Sequence, residues 1–246
     1  MVENGLTCQA INASDIYGMP ARTVCDWDKI PANKINNNQP IIKSRTRSFL
    51  DLEKLAIEGL NYHWGRNKKH AVSKKINING DNFEVYTNAT NTTENAMDDV
   101  SLIYNTNNSW LRSGNPGTVQ DPMSAVGNVI SRESICYNIG YIEYFDGWAF
   151  SYDTNEDLKF KFTTAHEIGH TILKAYGGTI YSYGHKKTVN AYTQKENTNA
   201  TKYPLNGEID IMPYHINTVP ISDYNRYIAA IEDILSLLWL TKISVK

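Results

Sequence analysis

The stretch TTAHEIGHTILKAYGG, residues 163–178, contains the motif H-E-x-x-H, formed by His166, Glu167 and His170. Residues four apart lie on one face of an α-helix, so both imidazoles can reach the same metal ion. The offset of Glu167 makes it a poor ligand but leaves its carboxylate able to contact a metal-bound water. The motif therefore predicts two zinc ligands with a general base between them, which takes a proton from the water and later delivers it to a leaving amine.

The alternative interpretation is that both histidines are ordinary helix residues. The surrounding sequence favours the metal site, because apolar residues recur at helical spacing and define an inward face around the motif. These residues are Leu158, Phe162, Ala165, Ile168, Ile172 and Leu173. Gly169 lies within the motif, and its lack of a side chain would let another segment or the substrate approach the helix closely.

A third ligand is required, because a catalytic zinc ion generally takes three protein ligands and keeps one open position. Glu208 is the first candidate, since it stands in a glycine-started, otherwise apolar segment where an unpaired carboxylate would be costly. His185, just after a glycine-rich turn, is the second, and Asp210 is better suited to orient a histidine. If Glu208 is the ligand, then His185, Tyr214 or His215 is available to donate a hydrogen bond to the developing oxyanion.

The elements that must position these residues follow from the hydrophobic pattern. Residues 49–64 carry apolar side chains at three- and four-residue intervals, which predicts an amphipathic helix. Two short alternating runs around Asn79 and Gly80 predict a β-hairpin. Residues 100–106 and 134–145 are strand-like.

The motif itself is predicted to lie in the middle of a helix with Asp157 as its N-cap and Gly177 at its end. The last helix is predicted to begin at Ser222 as N-cap. This order of elements predicts an α+β domain over residues 46–246. It suits a zincin-like metallopeptidase with a small, mostly antiparallel sheet, an active-site helix and a closing C-terminal helix. Residues 1–45 lack sustained periodicity and are interpreted as an irregular N-terminal extension.

Composition excludes several classes of partner. The 24 basic and 26 acidic residues nearly cancel, so neither a nucleic-acid footprint nor a membrane-surface preference is expected. The sequence contains no run of 18 apolar residues, so no membrane span is predicted. The first residues also lack the basic and apolar regions of a signal peptide. We therefore expect a mature fragment, an excised domain, or a protein exported by a machine that reads no cleavable signal.

The three cysteines, Cys8, Cys25 and Cys136, include no C-x-x-C pair, which argues against a cysteine-based zinc site. A disulfide between Cys8 and Cys25 and three buried thiols both remain open.

A family resemblance adds to this interpretation. The segments TTAHEIGHTILKAYGGTIYSYGHK (163–186) and GEIDIMPY (207–214), followed by LLWLTKI (237–243), resemble the zincin-type metallopeptidase toxin domains of bacterial polymorphic toxins, including those fused to type VI secretion spike proteins. The resemblance covers residues 46–246 in layout, with its specific matches in segments 163–187 and 206–240. Residues 1–45 show no such resemblance.

The resemblance implies a zinc-dependent peptidase that is delivered into a competitor or host cell without a signal peptide. Its ligands would be His166, His170 and Glu208, with Glu167 as the base. The expected partners are a protein or peptide substrate in the target cell, a secretion spike, and a cognate immunity protein if the target is bacterial.

Two further hypotheses compete with the effector peptidase. One is an ordinary secreted or intracellular zinc peptidase, which genome neighbourhood would separate from a toxin. The other is a non-catalytic binding or spike module with structural zinc, which predicts a fourth protein ligand and no open position.

Overall fold

The helices and strands of the chain are given by a computed structural model. In chain order they are β1 (Val2–Glu3), β2 (Gln9–Ile11), β3 (Arg22–Val24), α1 (Phe49–His63), β4 (Ile76–Ile78), β5 (Asp81–Phe83), β6 (Ser101–Tyr104), β7 (Ser134–Tyr137), β8 (Tyr141–Tyr144), β9 (Gly147–Phe150), α2 (Glu156–Gly177), α3 (Thr179–Tyr183), β10 (Ile209–Asp210), a 3-10 helix (Ile221–Arg226), β11 (Tyr227–Ile228) and α4 (Ile231–Leu240). The structure describes residues 2–3, 9–11, 22–24, 47–70, 72–92, 94, 100–104, 113, 134–137, 141–144, 147–150, 156–216 and 221–240.

The chain divides into two compact units. The first comprises Met1–Glu53 and Glu94–Glu156, and the second comprises Lys54–Thr93 and Asp157–Lys246. Most of residues 1–45 lie outside the described ranges, so the predicted N-terminal extension and its boundary at residue 46 stay predictions. Cys8 and Cys25 also lie outside them, and the backbone of Cys136 belongs to β7.

The described residues of the first unit lie mainly in strands. β1, β6 and β7 form a parallel sheet in the order β1-β6-β7, and β2 with β3 and β8 with β9 form antiparallel pairs. The predicted strand over residues 134–145 is therefore two strands, which belong to different sheets. Within the described part of residues 46–246, two strand pairs are antiparallel and two are parallel, so a small antiparallel sheet is present but the pairing is not mostly antiparallel.

The second unit carries the predicted site and most of the helices. The mixed α and β content predicted from the sequence is confirmed, and the H-E-x-x-H motif lies within α2, which ends at Gly177. The hairpin is also confirmed: Ile76 pairs with Phe83, and Asn79 and Gly80 both have positive φ angles of 54° and 96°, as a type I′ turn requires. No helix in the described part of the chain has both the length and the apolar character needed to cross a membrane.

Two helix starts differ from their predictions. Asp157 lies inside α2, which begins at Glu156, a difference within the usual uncertainty of helix ends. The last helix begins at Ile231 rather than after Ser222. Residues 221–226 form a 3-10 helix, and Tyr227 pairs in parallel with Ile209 of β10, so apolar residues that fit a helical pattern are used in a strand.

The core of the second unit packs around α2. Its buried members come from every part of the unit and include Trp64, Ile76, Ala165, Ile172, Leu173, Ile209, Ile211, Met212, Tyr227, Ala229 and Ile234. Trp64 is fully buried and its indole N–H donates a hydrogen bond of 3.0 Å to the carbonyl of Ala165, one residue before the motif. The end of α1 is thus attached directly to the helix that carries the predicted site.

A buried histidine links α1 to the strand pair. His63 Nδ1–H donates to the carbonyl of Tyr227 in β11 at 2.6 Å, and the Ala229 amide donates back to the His63 carbonyl at 2.7 Å. Because β11 pairs with β10, this contact fixes the segment that follows β10 and borders α2. Burial lowers the pKa of His63 to about 4.

The pH dependence of stability should report this buried histidine. Between pH 6.5 and 4 the unfolded chain protonates His63 while the folded chain does not, so stability is lost as the pH falls through this window. Compared with His63→Asn, whose amide can still donate to Tyr227 but does not titrate, the parent should lose about 3 kcal/mol more free energy of unfolding by pH 4. Urea unfolding of both proteins at pH 7 and pH 4 measures this difference, and an equal loss of stability in the two proteins would contradict the assignment.

Candidate metal centre

Three buried histidines meet in the second unit. His166 and His170 lie one turn apart on α2, and His185 lies in the turn that follows α3. One ring nitrogen of each lies within 4.8 Å of those of the other two. The side chains are 6%, 5% and 3% exposed, so the cluster is shielded from bulk solvent. These three histidines could hold one metal ion.

The hydrogen bonds of the three rings assign the same ligand atom to each. His166 Nδ1 donates to the carbonyl of Ile211 at 2.8 Å, and His185 Nδ1 donates to the carbonyl of Tyr183 at 3.1 Å. His170 Nδ1 donates to Ser182 Oγ at 3.2 Å. Because an oxygen acceptor requires the proton on Nδ1, each Nε2 keeps its lone pair for a metal ion.

Ser182 has a double role in this arrangement. Its hydroxyl accepts from the His170 ring and donates to the His170 carbonyl at 2.7 Å. The serine therefore attaches α3 to α2 and fixes the orientation of one ligand. Ser182 is fully buried, and nothing in the sequence pattern distinguished it from the other polar residues of this connection.

The electrostatic surroundings keep the two helix histidines neutral. Burial lowers the pKa of His166, an effect that the Ile211 carbonyl and Asp210 partly offset. Burial, followed by the nearby His166, lowers the pKa of His170 to about 3. Both imidazoles are therefore uncharged at neutral pH, which is the form that binds metal.

Glu167 lies beside this cluster on α2. It is 9% exposed and follows His166 directly, so its carboxylate leaves the helix about 100° away from the first ligand. It is not one of the clustered ligands among the described residues. This placement is compatible with the role predicted from the sequence, that of a base beside the metal.

Tyr214 is also brought to the site. Its ring centroid lies 3.9 Å from that of His185 and 6.0 Å from that of His166. Its amide donates to Thr188 Oγ1 at 3.0 Å, which ties this segment to the turn that carries His185. His215, the next residue, has its ring 6.5 Å from Tyr227 and is absent from the histidine cluster of the described residues.

The structure places Glu208 elsewhere. Its Oε2 accepts from Arg66 Nη1 at 3.0 Å and from the Lys74 amide at 3.2 Å. Arg66 is 1% exposed, so its cation needs this partner. The carboxylate that sequence reasoning ranked first as third ligand therefore forms an ion pair, and it is not among the clustered ligands of the described residues.

The Asp210 carboxylate forms an ion pair with a lysine and does not accept a hydrogen bond from a histidine ring in the described part of the chain. It pairs with Lys186 Nζ, and its other oxygen accepts from the Met212 amide at 3.2 Å. Lys186 also donates to Asp233 Oδ2 at 3.0 Å. Burial raises the pKa of Asp233 to about 6, although the Lys186 charge opposes this shift. The sequence reasoning missed Lys186 and Asp233, because no periodic pattern connects a loop lysine to an acid on α4.

Gly169 permits the close packing that its position in the motif predicts. A Cβ atom there would lie 2.6 Å from Met212 Sδ and 2.9 Å from Trp64 Cζ2. These neighbours approach the helix from the core, so the approaching segments are parts of the protein itself.

Comparisons with protein-family models, curated proteins and solved structures found no match. The resemblance to zincin-type toxin domains is thus carried by the sequence segments alone.

Proposed function

We propose that this chain is a zinc-dependent peptidase that hydrolyses a peptide amide bond with His166, His170 and His185 as metal ligands. The observation that carries the proposal is the convergence of His185, from a separate segment, on the two histidines of an H-E-x-x-H helix. A core histidine pair on a helix has no need of a third buried imidazole within 4.8 Å. The proposal assigns to His185 the ligand role for which the sequence ranked Glu208 first.

The donor set suits zinc. Imidazole nitrogens bind zinc well, and a catalytic zinc site takes three protein ligands and leaves a fourth position for water or substrate. The described part of the chain offers three clustered ligands, as this arrangement requires, whereas structural zinc would need a fourth. This comparison supports a catalytic centre over a spike or binding module with structural zinc.

A zinc ion at this centre would supply Lewis acidity, which makes water a nucleophile near neutral pH and polarises the scissile carbonyl. Glu167 accepts the proton from the attacking water and delivers it to the leaving amine. The carbonyls of Ile211 and Tyr183 and the Ser182 hydroxyl hold the three rings in one tautomer. Tyr214, beside His185, is the residue proposed to donate a hydrogen bond to the oxyanion.

The biological setting proposed is that of a bacterial effector. The segments 163–186 and 207–214 support a toxin domain delivered by a signal-peptide-independent route, such as a type VI secretion spike. The substrate would be a protein of the target cell or a peptide amide of its cell wall, and an antibacterial member would need an immunity protein in the producing cell. Toxicity on expression in the cytosol or the periplasm of a test bacterium separates an effector from an ordinary peptidase.

The purified chain should bind one zinc ion and cleave peptides in a zinc-dependent manner. Metal content is measured by elemental analysis, and cleavage is measured with a pool of quenched fluorogenic peptides and with isolated cell-wall peptides. Removal of the metal with a chelator should stop cleavage, and added zinc should restore it. A chain that binds one zinc ion and cleaves neither class of substrate would contradict the peptidase proposal.

A further inference from the structure

The turn that delivers His185 has an unusual backbone. His185, Lys186 and Lys187 have φ angles of 45°, 58° and 72°, so three consecutive residues with side chains occupy the left-handed region. Residues other than glycine rarely adopt this conformation, and it persists only where surrounding contacts stabilise it. A ligand carried on such a turn therefore depends on contacts that hold the turn in place.

The backbone of the turn is fixed at both ends. The His185 amide donates to the Ser182 carbonyl at 3.0 Å, and the Lys186 amide donates to the Tyr181 carbonyl at 3.1 Å. After the turn, Thr188 Oγ1 donates to the His185 carbonyl at 2.7 Å. These bonds close the turn locally and join it to Ser182, which orients His170, while the Thr188 hydroxyl also accepts from the Tyr214 amide of the segment that follows β10.

The Lys186 side chain adds a charged connection to the core. Its ammonium pairs with Asp210, at the end of β10, and with Asp233 on α4. The lysine is 14% exposed and the Asp233 side chain 0%, so water screens the second pair very little. The turn is thereby attached to two separate elements of the core.

The ion pair with Asp210 also bears on the position of a second proposed ligand, His166. Asp210 immediately precedes Ile211, whose carbonyl accepts from His166 Nδ1. The Lys186 ammonium therefore links two neighbours of the metal centre. Lys186 itself follows His185, and its partner Asp210 precedes Ile211, which orients His166. The two ligands that lie on different segments share a single charged anchor.

We propose that Lys186 is a positioning residue, which holds the left-handed turn 185–187 against Asp210 and Asp233 and so sets the His185 ring at the metal centre. The inference rests on the three-histidine part of the proposed function and not on hydrolysis. The competing explanation is that the two ion pairs only stabilise the fold. Buried ion pairs often add little net stability, so their presence alone does not favour that explanation.

Two variants of the full chain separate these roles. Lys186→Met removes the anchor but leaves the Asp233 carboxylate buried without its cation. The double variant Lys186→Met with Asp233→Asn removes both charges of the buried pair, and such neutral replacements are commonly tolerated. Lys187→Met, at the exposed neighbour in the same turn, is the matched control.

The measurement is zinc affinity by competition with a chromophoric chelator, together with the visible spectrum of the Co²⁺-loaded protein. Both Lys186 variants should bind zinc about 10–100-fold more weakly than the parent, as losses of groups that orient ligands typically do. The Co²⁺ spectrum should change because the His185 ring is displaced. The double variant should keep the weak affinity although its melting temperature returns close to that of the parent, and Lys187→Met should match the parent throughout.

Two results would overturn the inference in distinguishable ways. Parent-like zinc affinity in the stable double variant would show that Lys186 contributes to folding alone. Parent-like zinc affinity in His185→Ala would remove the third-ligand assignment, and the positioning role with it. If the parent protein cleaves no peptide, the peptidase proposal fails, but neither zinc-affinity result changes.

Discussion

Glu167→Gln is expected to lower the turnover of peptide hydrolysis by about 10²–10⁴-fold, the usual contribution of a general base. The amide has nearly the shape of the carboxylate but cannot accept the proton of the attacking water. Because Glu167 is not one of the clustered ligands, zinc content and melting temperature should stay near those of the parent. The measurement is cleavage of a fluorogenic peptide at saturating zinc, with metal content determined on the same sample.

The matched control for this substitution is Glu232→Gln. Glu232 is an exposed glutamate in the first turn of α4, and the same chemical change there should leave turnover and metal content unchanged. Turnover of Glu167→Gln within a few-fold of the parent would remove Glu167 as the base. A loss of zinc from this variant would instead make Glu167 a ligand.

His185→Ala is expected to weaken zinc binding by more than about 100-fold, beyond the loss typical of groups that only orient ligands. Two imidazoles on one helix leave the ion weakly held, and the third lies in the cluster at ring distances of 5.3 Å and 4.7 Å. Zinc affinity is measured by chelator competition. His166→Ala and His170→Ala should lose metal similarly, since each removes one of the same three ligands.

Glu208→Ala is the informative comparison. This variant should keep zinc, because the carboxylate pairs with Arg66 rather than with the histidines. It should lose about 1–3 kcal/mol of stability, since the buried Arg66 cation then lacks its charged acceptor. Urea unfolding measures that loss. Zinc retained by His185→Ala and lost from Glu208→Ala would transfer the third-ligand role to Glu208.

The two helix histidines could be predicted from the sequence, because four-residue spacing on a helix is local geometry. The same applies to the hairpin at Asn79 and Gly80, where two residues tolerant of positive φ fix the turn. These features depend on neighbours within a few residues. They were therefore visible without knowledge of the rest of the fold.

The third proposed metal ligand could not be predicted from local spacing. The partly buried carboxylate of Glu208 does need a partner, as its apolar surroundings predict. That partner is Arg66, 142 positions away in the chain. Sequence reasoning ranks candidates by chemistry and cannot exclude a distant competitor for the same carboxylate. The start of α4 was misplaced for a related reason, because Tyr227 and Ile228 pair with β10.

The placement of α2 by two glycines has a consequence for how this protein can evolve. A Cβ atom at Gly59 of α1 would lie 2.8 Å from the Lys161 Cα, and one at Gly169 would meet Trp64 and Met212. The Lys161 atoms beside Gly59 belong to the main chain, which has no rotamers with which to absorb a change, and the neighbours of Gly169 are the fully buried side chains of Trp64 and Met212. Alanine, the smallest possible replacement, already exceeds the space at both positions. Sequence drift in this unit is therefore also constrained at residues that carry no functional group.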